Sequence, residues 1–252
     1  GLPDVTSITQ EMNQPFITKL TPGDNKITVE FQAQNNEPAF SGYNIYFGDS
    51  VNPQKYRLYN LQKSRPTIIA GTSQNINTYT FTIEPKGYYS EGSGEVLTLT
   101  DYQLQNGIPI YVWVSAYQIT PQAESYYYYD NYVKMATPRP EYSNQTISSG
   151  SSIISGSRQL ATLSGAAGNL QFQNVANGTM QMTGGTSLND ITVPPTDGYG
   201  NASLTVTAQR LYLVKITEGS DNYYGKIFVH SVNGGSVTID YCHQPSANIL
   251  SY

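Results

Sequence analysis

Ile110-Tyr111-Val112-Trp113-Val114-Ser115-Ala116-Tyr117 separates into two sets of side chains with a period of two. Successive residues of an extended chain point to opposite sides, so Ile110, Val112, Val114 and Ala116 share one face. Tyr111, Trp113, Ser115 and Tyr117 share the other. The same period recurs along the chain. Ile27, Val29 and Phe31 alternate with Thr28 and Glu30; Tyr43, Ile45 and Phe47 alternate with Asn44 and Tyr46. Near the end, Ile227 and Val229, then Val237, Ile239 and Tyr241, repeat it around an Asn233-Gly234-Gly235 turn. No segment carries a helical apolar stripe of useful length, and Thr, Tyr, Val and Ile stand among Gly, Pro and Asn turns. The fold class this predicts is all-β, with short antiparallel strands packed as sandwiches or barrels.

Composition narrows the function classes. The 252 residues carry 13 basic and 18 acidic side chains, a net charge of −5, against 87 Ser, Thr, Asn and Gln. A nucleic-acid surface needs a basic stripe, which this balance does not supply. There is no run of about 18 apolar residues of the kind a membrane-spanning helix requires. Tyr occurs 22 times, and the 38% hydrophobic fraction is enough for a real core.

One compositional boundary divides the chain. Thr137-Pro138-Arg139-Pro140 closes an aromatic-rich region, and a Ser/Gly/Asn/Thr stretch follows, interrupted by Ile153-Ile154. Prolines stop a sheet ladder and polar residues bury little, so the expected organisation is a domain over 1–140, a linker over 141–157 and a second antiparallel β-domain over 158–252.

In the first domain the order of motifs is informative. Leu20-Thr21-Pro22-Gly23-Asp24-Asn25 turns between two strands, Gly42-Tyr43-Asn44-Ile45-Tyr46 follows, and Leu104-Gln105-Asn106-Gly107 leads into Ile110 to Tyr117. This layout resembles a fibronectin type III domain across most of residues 1–140. The resemblance implies a seven-stranded immunoglobulin-like sandwich without catalytic residues. It places Phe31 where the family has its core tryptophan, and Ile110 where the family has its corner tyrosine. It also turns Ile110, Val112, Val114 and Ala116 to the core and sets Trp113 on the outer face, beside the strand bearing Tyr46. Tyr46, Tyr111, Trp113, Tyr117 and Tyr127 (within the run Tyr126–Tyr129) would then form an aromatic platform suited to protein or sugar recognition. The alternative is structural cover: residues 48–95, with Tyr56, Tyr59, Ile68 and Ile69, form a long excursion able to fold over those rings, and the second domain is another candidate cover.

The second domain is expected to hold strands near Leu170–Val175, Met180–Met182, Ile191–Val193, Leu204–Thr217, Tyr223–Val232 and Ser236–His243. Its last part, Leu211-Tyr212-Leu213-Val214-Lys215, Tyr224-Gly225-Lys226-Ile227-Phe228-Val229 and Val237-Thr238-Ile239-Asp240-Tyr241 with Gln244, resembles over about 40 residues the C-terminal β-module of bacterial exported lipoproteins, including the haemophore-like HmuY type. That resemblance implies an exported cell-surface or outer-membrane protein, held to the membrane only through an N-terminal lipid anchor that is not in this sequence. The chain starts at Gly1 without a signal peptide, as a processed or trimmed product would.

Chemistry-bearing residues are sparse. His230 and His243 are expected on opposite faces, given an unbulged strand and a three-residue turn, so they do not converge on a metal or haem. Cys242 and His243 are strand neighbours facing opposite ways, and a single cysteine forms no internal disulfide. Asp190, Asp197, Glu218 and Asp221 fall in or near loops, where Asp221-Asn222 is a weak calcium candidate. Glu91 and Glu95 flank a Gly-rich turn as solubilising charge. Gly92-Ser93-Gly94 and Gly184-Gly185 are turn glycines with no helix behind them to cradle a phosphate. The sequons at Asn144, Asn177 and Asn201 carry no weight beside the bacterial resemblance. The expectation is a non-enzymatic surface module for binding, adhesion or structure, with no cofactor and no metal. Its partner would be a protein or a glycan. Alternatives are a carbohydrate-binding accessory protein of a glycan-utilisation system and, more distantly, capture of haem or a small hydrophobic ligand.

Overall fold

The computed structural model describes residues 12–48, 57–59, 76–84, 89–91, 96–98, 104–121, 123–125, 133–200 and 202–252. Among these the chain is all-β, with one three-residue 3-10 turn, Leu188–Asp190, and no α-helix. It forms two compact units. The first comprises residues 1–20, 28–103 and 109–136; the second comprises Thr21–Ile27, Leu104–Ile108 and Thr137–Tyr252.

The strands associated with the first unit are β1 (Phe16–Gly23), β2 (Lys26–Ala33), β3 (Phe40–Gly48), β4 (Arg57–Tyr59), β5 (Asn77–Ile83), β6 (Tyr89–Glu91), β7 (Val96–Thr98), β8 (Ile110–Gln118), β9 (Ala123–Glu124) and β10 (Lys134–Ala136). One sheet runs β1-β2-β5 and another β10-β8-β3-β4, with β9 also paired to β8; β6 and β7 pair with each other. The two larger sheets meet through the alternating residues read from the sequence. Phe31 packs edge-on against Tyr43, with ring centroids 5.1 Å apart, and stacks on Tyr79 at 5.3 Å. Phe31 thus fills a core position with an apolar ring. Burial, reinforced by Tyr79 and Glu37, pushes the Tyr43 hydroxyl well above its ordinary pKa, which keeps this core neutral.

The second unit contains β11 (Glu141–Ser148), β12 (Ser152–Ser155), β13 (Arg158–Ser164), β14 (Gln171–Asn174), β15 (Gly178–Gly184), β16 (Leu204–Thr205), β17 (Arg210–Glu218), β18 (Asp221–Asn233) and β19 (Ser236–His243). They make a five-stranded sheet, β11-β19-β18-β17-β15, and a four-stranded sheet, β12-β13-β14-β16. Ile153, Leu160, Leu163, Phe172, Tyr212, Val214, Ile227, Val229, Val237, Ile239 and Tyr241 form the main core of this unit. A second cluster lies on the opposite face of the five-stranded sheet. There Leu211, Leu213, Tyr224, Phe228 and Cys242 pack with Leu188 and Tyr252, residues of the loop after β15 and of the terminal segment.

Four expectations need correction here. The stretch 141–157 is not a linker, since it supplies β11 and β12, and Ile153 is buried in the main core. Both strands are sheet-terminal and bulged, which thins the apolar signal and breaks its period. Ile191–Val193 is irregular rather than a strand, and Leu204–Thr217 is two strands separated by residues 206–209. The turn after β18 has two residues, Gly234 and Gly235, not three, and a bulge at His230 restores the register. The bulge and the shorter turn cancel, so Val229 still pairs with Ile239 on the core side and His230 still lies opposite.

Candidate functional site

The strongest convergence of polar and aromatic groups in the first unit lies on the face of β3 and β8 opposite the Phe31–Tyr43 core. Register places Tyr46 directly across from Trp113 and Asn44 across from Ser115. The Tyr46 and Trp113 rings stack with centroids 5.6 Å apart and planes only 5° from parallel. Glu124, on β9, reaches back over this face. Its Oε1 accepts hydrogen bonds from the Tyr46 hydroxyl, the Ser115 hydroxyl and the Asn44 Nδ2 amide, the last at 2.8 Å. A carboxylate oxygen holding three donors is fixed in place and ties three strands together. Gly42 admits the Tyr117 ring, because a Cβ there would sit 3.1 Å from it.

The strand register behaves as expected, but the expected exposure does not. Trp113 is 1% exposed and Tyr46 2%, so the indole is buried rather than displayed; Tyr111 and Tyr117 are half-buried. An exposed Tyr46–Trp113 platform is therefore corrected to a covered polar–aromatic cluster. Within it the Trp113 Nε1 and the Asn44 Oδ1 have no hydrogen-bond partner among the described residues. Tyr127 and the rest of the run Tyr126–Tyr129 lie outside the described residues. So do Tyr56, Ile68, Ile69, Glu95, Gly92-Ser93-Gly94 and Asn201, and the side chains of Tyr59 and Glu91.

The second unit holds a buried cationic cluster that the sequence reading passed over. Lys226 is fully buried on β18, and its Nζ donates to the Ile191 carbonyl at 2.7 Å and the Tyr252 carbonyl at 3.0 Å, with Asn189 Oδ1 at 3.4 Å. The ammonium also lies 4.6 Å from the Tyr252 ring centroid, in cation–π range. Arg139, likewise fully buried, donates from Nη2 to the same Asn189 Oδ1 at 2.9 Å and approaches Glu141 at 3.4 Å. The signal was present: Tyr224, Lys226 and Phe228 share a face by alternation, which sets a lysine among apolar residues. Asp190, next to Asn189, accepts from the Thr186 and Ser187 backbone amides, and those bonds hold its carboxyl below the usual range.

The remaining candidates are structurally engaged. His243 Nδ1 is 2.5 Å from Ser155 Oγ, and burial together with the nearby Arg158 lowers its pKa to about 4. His230 Nε2 lies 2.8 Å from Asp240 on the other face. Cys242 is buried in the second cluster, and Asp221 accepts from Asn248 at 3.1 Å. No group of three His, Cys, Asp or Glu side chains suited to a metal occurs among the described residues.

No family model matches this chain, and no curated protein matches it. Among solved structures it is similar to the crystal structure of a DUF4466 family protein from Parabacteroides merdae ATCC 43184. That similarity has a TM-score of 0.37 and 8% identity, and covers 92% of this chain and 98% of the other.

Proposed function

We propose that this chain is a non-enzymatic binding, adhesion or structural module of an exported bacterial lipoprotein, acting at the cell surface on a protein partner. One observation supports this most: the side chains best able to do chemistry are engaged as structure. Glu124 Oε1 holds three donors, His243 is buried against Ser155, and Cys242 is buried in an apolar cluster. The exposed side of the four-stranded sheet is uncharged, with Ser152, Gln159, Gln171, Gln173 and Thr205 along it. Such a surface suits contact with other macromolecules more than processing of a charged substrate. The test is protease shaving and fractionation of intact source cells, probed with an antibody to this chain. Surface-accessible protein in the membrane fraction is expected; a protease-protected cytosolic pool would overturn the proposal.

A further inference from the structure

We propose that the tip of the β12–β13 hairpin, Ser155–Arg158, is an acid-released latch on the second unit, with His243 as its pin. The tip is fastened to the five-stranded sheet at three points. His243 Nδ1 meets the buried Ser155 Oγ at 2.5 Å, and the Gly156 amide donates to the Tyr142 hydroxyl at 2.9 Å. Arg158 lays its guanidinium 3.6 Å from the Tyr223 ring centroid and pairs with Glu218. Gly225, opposite His243 on β18, makes the room for this packing, since a Cβ there would lie 3.3 Å from the His243 Cβ and 3.0 Å from Leu160. Gly156 takes the left-handed turn, φ +59°, that carries the chain past the imidazole.

The charge that acts on the pin is Arg158, on the hairpin. The other titratable groups are tied to the latch: Glu218 of β17 and Tyr223 of β18 through Arg158, Tyr142 of β11 through Gly156, and Tyr241 of the histidine's own strand stacked on Tyr142. Burial disfavours an imidazolium in the closed state, and the Arg158 charge disfavours it further, giving a pKa of about 4. A released ring in water returns to about 6.5. A base whose closed-state pKa is depressed keeps the latch fully shut above about pH 6.5, and opening grows easier as pH falls from there through about 4. The difference corresponds to an increase in the opening equilibrium on the order of a hundred-fold.

Hydrogen exchange of the amides from 152 to 158, corrected for intrinsic rates and followed from pH 7.5 to 4, reads that equilibrium. The expected result is a rise of about two orders of magnitude at the tip, with β17–β19 amides keeping their protection. His243→Gln should flatten the profile, and Arg158→Gln, by raising the closed-state pKa toward about 6.5, should leave the onset near pH 6.5 and shrink the rise. Equal tip protection at both ends of the range would overturn the proposal. So would an unchanged acid response in His243→Gln, which would assign the effect to the Glu218–Arg158 pair. Should His243→Gln fail to fold, the wild-type protein still decides: it has two histidines, and neither imidazole resonance titrating well below 6.5 would equally exclude the pin.

Discussion

At the scale of single residues, Trp113 shows how register and exposure separate. Its direction follows from backbone alternation and was legible; its burial depends on what lies over the sheet face, which period two does not encode. As the only tryptophan, it reports on itself. Its emission should be blue-shifted relative to indole in water and resistant to iodide, and a red, readily quenched emission would contradict the buried stack. Trp113→Ala should lower unfolding free energy by about 3–5 kcal/mol in denaturant titrations, because it removes a buried ring and leaves a cavity. Lys226 poses the opposite problem, a charged side chain among apolar ones. Its ammonium meets three oxygens, so cutting it back to alanine strands the Ile191 and Tyr252 carbonyls and empties volume as well. Lys226→Ala should cost about 3–5 kcal/mol, and Lys226→Met, which keeps the volume and buries no unpaired charge, markedly less. Equal losses for the two would mean that the polar contacts, which both variants lack, set the cost and the emptied volume adds little.

At the scale of elements, central strands were legible and edge strands were not. β3, β8, β18 and β19 pack on both faces or on one wholly apolar face, so their periodicity is strong. β11 and β12 end their sheets and are interrupted by bulges at Ser143–Asn144 and Ile153–Ile154, so a half-exposed, Ser-rich strand reads like a linker. The His230 bulge was invisible for a similar reason, since it cancels against a turn one residue shorter than expected. The Glu124 cluster was missed because β9 is two residues long and carries no periodic signal at all. Ile153 tests the corrected assignment. In a linker Ile153→Ala would change stability by less than about 0.5 kcal/mol, whereas loss of a buried core side chain should cost about 2–4 kcal/mol. Thermal or urea unfolding distinguishes the two outcomes without reference to function.

At the scale of the whole molecule, the second unit is discontinuous in sequence, which a single boundary near residue 140 conceals. It takes in Thr21–Ile27 and Leu104–Ile108, two segments far apart along the chain. Asn25 and Asn106 exchange amide-to-side-chain hydrogen bonds at 2.8 and 3.0 Å. The Gly107 amide donates to the Pro138 carbonyl at 2.8 Å, the Arg139 amide to the Gly23 carbonyl at 3.1 Å, and the Ser246 hydroxyl to the Gly107 carbonyl at 2.7 Å. A fragment of residues 137–252 lacks both segments and should melt below the same unit in the full chain, as followed by hydrogen exchange of β17–β19. Gly107 makes the sharper probe. Its φ of +89° disfavours any side chain, and a Cβ would fall 2.7 Å from the Ser246 Oγ. Gly107→Ala in the full chain should therefore cost about 1–3 kcal/mol. The loss should register in amides beside Ser246 and Pro138 as well as near residue 107. If protection there were untouched, Leu104–Ile108 would have to be reassigned as an independent corner rather than a working part of the second unit.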